Sequence, residues 1–445
     1  MLKLERNRIR LTIALFLSLS SAAYAQDVQT DVIATRLSGI VDRHPAIEKQ
    51  ALLASARRNA ARNILFGYPD PSIEISRGRG KEDMVALGAE ELDASRTRIR
   101  MNELRISQPI PFPGKGIVAY NAMNAEVRKE ELMLLIERNR LAGEILFTSL
   151  EYHAAKKVLE QNRTFLRKME SLQMTTSAKY ETGVGSLTDV TRTRVRVNNL
   201  RLKVNDSEDQ AQKLYQVLQY LLTPLNGERR MFTQPEIDRY LTTVRAHIPG
   251  EETALKERSL EIALARATAS GKNHEDTLAR MQYLPDVELF SALTDQDRRS
   301  ATFRAISKER VYSAGIMIRV PVWSALTNHW NVGEKSDTYL SAEAGTRDTV
   351  SRLTYEAEAT RNSLQLLDRG IQLHTEQIIP GAQMAFETAL SSYQTAKGDY
   401  QSVLEGVELL YEHQIERIMH TLDRDRALIR LGTMYDVLLE KRKQD

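Results

Sequence analysis

Apolar residues recur at helical spacing over most of this chain, and in a few short windows they alternate strictly with polar ones. The two patterns come twice in the same order. A helix is predicted over Ala34 to Phe66 and another over Glu251 to Gln282, ending at the breakers Tyr68-Pro-Asp-Pro71 and Tyr283-Leu-Pro-Asp286. Strands follow. Ile73 and Ile75 alternate with Ser72, Glu74 and Ser76, and Val287 and Leu289 alternate with Asp286 and Glu288. Tyr312, Ala314, Ile316, Ile318 and Val320 share one face of a further strand, as a barrel strand between lipid and water requires. Between Ile99 and Ile106 the apolar positions change parity, which predicts a bulge near Asn102-Glu103. The polar segments Gly78 to Ser95 and Thr294 to Glu309 are expected as extracellular loops.

Long helices come next. Helix-compatible sequence runs from Lys115 to Ala178, about 64 residues or ~95 Å, and returns from Leu187 to Leu222. The later equivalents are Asn328 to Ala396, expected to break at Pro380-Gly381, and Tyr400 to Lys441. Helices of this length need coiled-coil partners. The stretch from Pro224 to Gly250 reads as an irregular link.

Three landmarks recur at a nearly constant offset. Tyr180-Glu-Thr-Gly-Val-Gly-Ser-Leu-Thr-Asp-Val190 is echoed by Tyr393-Gln-Thr-Ala-Lys-Gly-Asp-Tyr-Gln-Ser-Val403, about 213 residues on. Ile106-Ser-Gln-Pro-Ile110 is echoed by Ile318-Arg-Val-Pro-Val322, and Pro71-Ser-Ile-Glu-Ile75 by Pro285-Asp-Val-Glu-Leu289. The chain therefore reads as a tandem duplication. Its expected parts are a signal peptide over 1–25, a first repeat over 26–227 with its tip near 182–187, a linking or equatorial segment over 228–250, and a second repeat over 251–445 with its tip near 396–400.

Composition narrows the class. Charged residues make up 27% of the chain but nearly cancel to +3, which argues against a nucleic-acid binder. Lys3, Arg6, Arg8 and Arg10, the apolar run Leu11 to Leu19 and Ala23-Tyr24-Ala25 form a secretory signal pattern, so the chain is expected to be exported. The absence of cysteine excludes disulfides, thiolate metal sites and a lipid-modified cysteine. No later window is apolar enough for a helical span, so a membrane crossing would have to be a closed barrel. Four short strands cannot close one. Three chains would supply twelve, with twelve helix columns below them.

At these landmarks the sequence resembles the TolC-like outer-membrane factor family. Asp42-Arg-His44-Pro45-Ala-Ile47 is similar to the family's Asn-Pro motif, with His44 in place of the Asn. Ser107-Gln-Pro-Ile-Pro-Phe-Pro-Gly-Lys115 is the most specific match, and Tyr283-Leu-Pro-Asp286 and Val320-Pro-Val-Trp323 match the second strand pair. The resemblance implies a mainly helical, tandem-duplicated fold with a small barrel portion. Long hairpins would form a periplasmic tunnel, and four strands per chain would enter a 12-stranded trimeric outer-membrane barrel. It implies a homotrimer in contact with outer-membrane lipid, a periplasmic adaptor and an inner-membrane transporter. The channel would be passive, with no cofactor and no catalytic residue.

The resemblance also implies site residues. Gly183, Gly185, Ser186 and Leu187 on the first tip, with Gly398, Asp399 and Tyr400 on the second, would dock the adaptor. Thr188 and Asp189 facing Tyr393 would hold the periplasmic aperture closed. A family arginine is replaced by Gly398 and one of two acids by Ser402, leaving Glu405 for an acidic ring. The eight histidines are scattered without ligand spacing, so no metal site is expected. No phosphate loop or nucleophile elbow is present. The outer component of type I protein secretion, and a periplasmic coiled-coil scaffold without a channel, stay open as alternatives. The scaffold predicts no strands with a lipid face.

Overall fold

The computed structural model describes residues 33–66, 69–84, 95–112, 114–222, 231–249, 252–300, 306–395 and 397–439. The expected signal segment lies outside the described residues. The chain divides into two compact units, and each draws on both sequence halves: Leu52–Glu131 with Leu264–Arg347, and Leu132–Ala263 with the segments before Ala51 and after Asp348.

The first of these units holds the sheet. Strands β1 (Ser72–Met84), β2 (Ser95–Ile110), β3 (Asp286–Ser300) and β4 (Ile306–Arg319) pair antiparallel in sequence order. The strands run well into the polar segments expected as loops, and only 85–94 and 301–305 of those lie outside the described residues. Alternation fades there because both faces carry polar residues, yet backbone pairing continues. The expected bulge is absent. Pairing runs unbroken through Arg77↔Asn102 and Ser76↔Glu103 on one side and Asn102↔Asp295 on the other. The parity change marks instead where the apolar band on one face ends.

The second unit is helical, and helical segments 52–66, 115–131, 264–281 and 322–347 belong to the first. Residues 33–42 form helix α1, and α2 (Pro45–Phe66) follows after a break at Arg43 and His44. The single helix expected over Ala34 to Phe66 is interrupted because Pro45 lacks an amide proton. His44 Nδ1 accepts from Ala46 N at 3.2 Å, so the imidazole caps α2 as an asparagine would. Helices α3 (Lys115–Glu181) and α4 (Leu187–Leu221) form the first hairpin. The link expected to be irregular contains α5 (Gln234–His247). Its start is fixed by a capping box between Thr233 and Glu236, and Pro235 sits in the first turn, where proline is tolerated. Helices α6 (Glu252–Arg258) and α7 (Leu260–Met281) repeat the interruption seen after α1, now at Ser259.

Helix α8 (Val322–Leu373) passes into α9 (Ile379–Gln394) through a π-helical turn, His374–Ile378. The break expected at Pro380-Gly381 does not occur. The widened turn, closed by Ile379 N–H to His374 O, absorbs the amide that Pro380 lacks. Helix α10 (Tyr400–Met434) completes the second hairpin. Two buried clusters hold the helical unit. One gathers Leu37, Ile145, Leu146, Leu218, Phe232, Ile237 and Tyr435, and the other Phe165, Met169, Leu200, Phe386, Tyr393, Tyr400 and Val403.

Candidate functional site

The two hairpin tips, about 213 residues apart, close with the same pair of backbone bonds. In the first, Val184 N and Gly185 N both donate to Lys179 O, at 3.0 and 2.9 Å. In the second, Lys397 N and Gly398 N donate to Ser392 O, at 2.9 and 3.0 Å. A Cβ on Gly185 would lie 2.9 Å from Tyr180 N, and one on Gly398 2.9 Å from Ser392 Cβ, so the turn closes only without a side chain. Gly183 adds a φ of +75°. Each return helix starts on a polar cap. Ser186 Oγ accepts from Thr188 N at 3.1 Å, and Asp399 accepts from Ser402 N at 3.3 Å and from its hydroxyl at 2.5 Å. Those bonds, the Ser402 hydroxyl first, hold the Asp399 carboxyl below its ordinary range.

The tips differ in surface. Tyr180, Val184 and Leu187 are exposed on the first, Leu187 at 59%. Tyr400, at the position equivalent to Leu187, is only 4% exposed, so its ring belongs to the core and not to an accessible docking surface. Its hydroxyl is hydrogen-bonded to Thr193 Oγ1 at 2.8 Å.

Tyr393 is also buried, at 6%, and meets the Tyr400 ring edge-on at 6.3 Å. Burial pushes both phenols above their ordinary pKa, and the Asp189 carboxylate adds to the shift of each. Both therefore stay protonated donors at neutral pH. Thr188 is exposed and Asp189 half-buried on the first turn of α4. Within one chain Asp189 acts on Tyr393 through its field. Glu405 is exposed and accepts from Gln401 Nε2 at 2.9 Å.

Lys179 was not legible in the sequence. Its Nζ donates to Tyr393 O and lies 4.3 Å from the centre of the Tyr393 ring, tying the first tip to the second hairpin. An ion pair between Arg196 and Glu408 reinforces that tie. Nothing local in the sequence around Lys179 announces a partner about 214 residues away. The structure also brings together three of the eight scattered histidines, His374, His413 and His420, beside Glu416.

The sheet has two chemically distinct faces. Directly paired residues share a face, so Ile73 and Ile75, Leu104 and Ile106, Leu289 and Leu293, and Tyr312, Ile316 and Ile318 form one apolar band across all four strands. Toward the hairpin ends that face becomes charged, with Arg77, Arg79, Arg98, Arg100, Arg299, Lys308 and Arg310 beside Asp295 and Asp297, and Arg310 is paired with Asp295 at 2.7 Å. The opposite face carries Ser72 and Ser107, bonded through their hydroxyls at 2.7 Å, and Glu288 held 2.8 Å from Arg319 and 4.0 Å from Arg105. Just after β4, Trp323 and Trp330 are 81% and 75% exposed. At the junction into α3, Asp286 Oδ1 accepts from Phe112 N at 2.9 Å and from Lys115 Nζ at 2.8 Å. The Pro-Phe-Pro-Gly-Lys and Tyr-Leu-Pro-Asp motifs are thus halves of one joint.

No protein-family model and no curated protein matches this chain. Solved structures do. The outer-membrane channel OprN superposes with a TM-score of 0.71 at 14% identity, over 92% of this chain and 91% of its own. The outer membrane protein VceC of Vibrio cholerae gives 0.66 at 17% identity, over 92% and 96%. CusC, studied for transmembrane channel formation, gives 0.71 at 15% identity, over 90% and 91%. At these identities the likeness is one of fold, and the fold is the mainly helical one with a four-stranded antiparallel sheet that the motifs imply.

Proposed function

Starting from the fold of an outer-membrane channel, we propose that this chain is the outer-membrane exit duct of a tripartite efflux system. It is passive and built of three copies, and it receives substrates from an inner-membrane transporter through a periplasmic adaptor. The two-faced sheet carries this reading: an apolar band on one side and a hydrogen-bonded polar surface on the other is what a strand wall between lipid and a wet lumen requires. β1 and β4 are edges in one chain, and open edges are not tolerated in hydrocarbon, so the sheet must close through other copies. The exposed Trp323 and Trp330 suit the headgroup boundary at the end of the band.

In this reading the tips form the periplasmic aperture. The apolar residues of the first tip, Tyr180, Val184 and Leu187, are the adaptor-facing surface, with Gly183, Gly185, Ser186, Gly398 and Asp399 fixing the turns. Thr188 and Asp189 on the first hairpin face Tyr393 on the second, and Glu405 lines the entrance. A phenol-to-carboxylate bond is strong enough to hold the entrance and weak enough for a docking partner to break.

The test is single-channel conductance of the purified protein in a planar bilayer. The parent is expected to conduct weakly and the Asp189→Ala, Tyr393→Phe double variant several-fold more. Equal conductance would remove the gate, and verified trimers without conductance would remove the channel.

A further inference from the structure

We propose that His374, His413 and Glu416 form a binding site for a divalent transition-metal ion of the zinc type, independent of the channel reading. Their ligand atoms all lie within 4.8 Å of one another. His413 Nδ1 is 2.9 Å and His374 Nε2 3.7 Å from the same carboxylate oxygen, Glu416 Oε2. Tetrahedral zinc bound at about 2.0–2.1 Å to nitrogen places its ligands roughly 3.3 Å apart, so small side-chain rotations close the set. Two imidazoles and one carboxylate suit zinc, copper or nickel and not the oxygen-preferring magnesium or calcium.

Two further observations bear on the site. His374 is only 6% exposed and turns its Nε2 toward Glu416, while its other ring nitrogen, Nδ1, is buried without a partner. His374 opens the π-helical turn, an insertion that recurs at functional sites because it re-aims a side chain out of the regular ladder. On α10, His413, Glu416 and His420 are three and four residues apart, so one helix face presents them together to that turn.

His413 now directs Nδ1 at the Glu416 carboxylate, and on binding the metal takes the place of that proton, which moves to Nε2. Glu416 is half-exposed, so the ion has a route from solvent and a water can fill the fourth position. Of the charged groups nearby, Arg417 also lines a separate groove with Lys157 and Asp425.

The experiment is calorimetric titration of the untagged full chain in detergent with Zn²⁺. Saturable binding of one ion per chain is expected, undiminished by excess Mg²⁺. His413→Ala and Glu416→Gln should each weaken it at least about tenfold. His329→Ala, at an exposed histidine on α8, should leave it unchanged. Glu416→Gln is isosteric and partly exposed, so it reports on ligation without a folding change, and an anomalous peak at the zinc edge between the three side chains would be the direct image. No saturable binding in the parent, or parent-like affinity in both ligand variants, overturns the site.

Discussion

At the two tips a single methyl group is too much. Gly185→Ala and Gly398→Ala each place a Cβ 2.9 Å from an existing atom, against backbone in the first case. Overpacking of this kind costs about 1–3 kcal/mol. Each variant is expected to speed hydrogen exchange within its own tip and to leave exchange elsewhere unchanged. Asp399 adds a pH dependence. Its carboxyl titrates lower in the folded tip than in the unfolded chain, so its stabilisation is complete above the ordinary aspartate range and is lost only as pH falls through the lowered folded value. Amide protection near residue 402 should therefore persist through mildly acidic pH and collapse only below the ordinary range. Asp399→Asn should flatten that profile.

On the strands, neighbouring residues have opposite jobs. Ile316 lies in the apolar band and Met317 on the polar face. A lysine toward lipid costs about 2–4 kcal/mol near the bilayer middle. Ile316→Lys should therefore lower the amount of protein retained in the outer-membrane fraction after a high-salt wash, while Met317→Lys should be retained like the parent. In the helical unit, α5 depends on its capping box. Thr233→Ala should cost about 1 kcal/mol, read as a lower melting temperature.

Taken as a whole, one chain leaves much unfinished. Leu202, Tyr220, Tyr355, Leu366 and Met384 are exposed on its helices, and the sheet has two open edges. In the proposed assembly these are the surfaces that the other copies would cover. Because the chain has no cysteine, single cysteines placed along β1 and β4 report on neighbours without background. Disulfide scanning between the two strands should yield covalent trimers at one register. Only monomers at every register would refute the shared barrel.

The sequence by itself determined the local pieces: where the long helices run, where they turn, and that the turn chemistry comes twice. Helical period, a glycine that must reverse the chain and a polar cap are short-range matters, so Tyr180 to Val190 and its echo were legible without coordinates. Tertiary structure decided the rest. The strand ends could not be read because alternation fades where both faces are polar, although the ladder of backbone bonds continues to Met84 and Ser300. The stretch from Pro224 to Gly250 read as an irregular link, yet Pro235 sits in the first turn of α5, and Pro380, expected to break its helix, is carried by a π turn. Tyr400 shares its repeat position with Leu187, yet only packing makes one a core ring and the other an exposed side chain. Lys179 against Tyr393, and His374 beside His413 and Glu416, are meetings of residues on different helices. Spacing along one helix foretells which side chains share a face, but not which face of another helix will arrive opposite them.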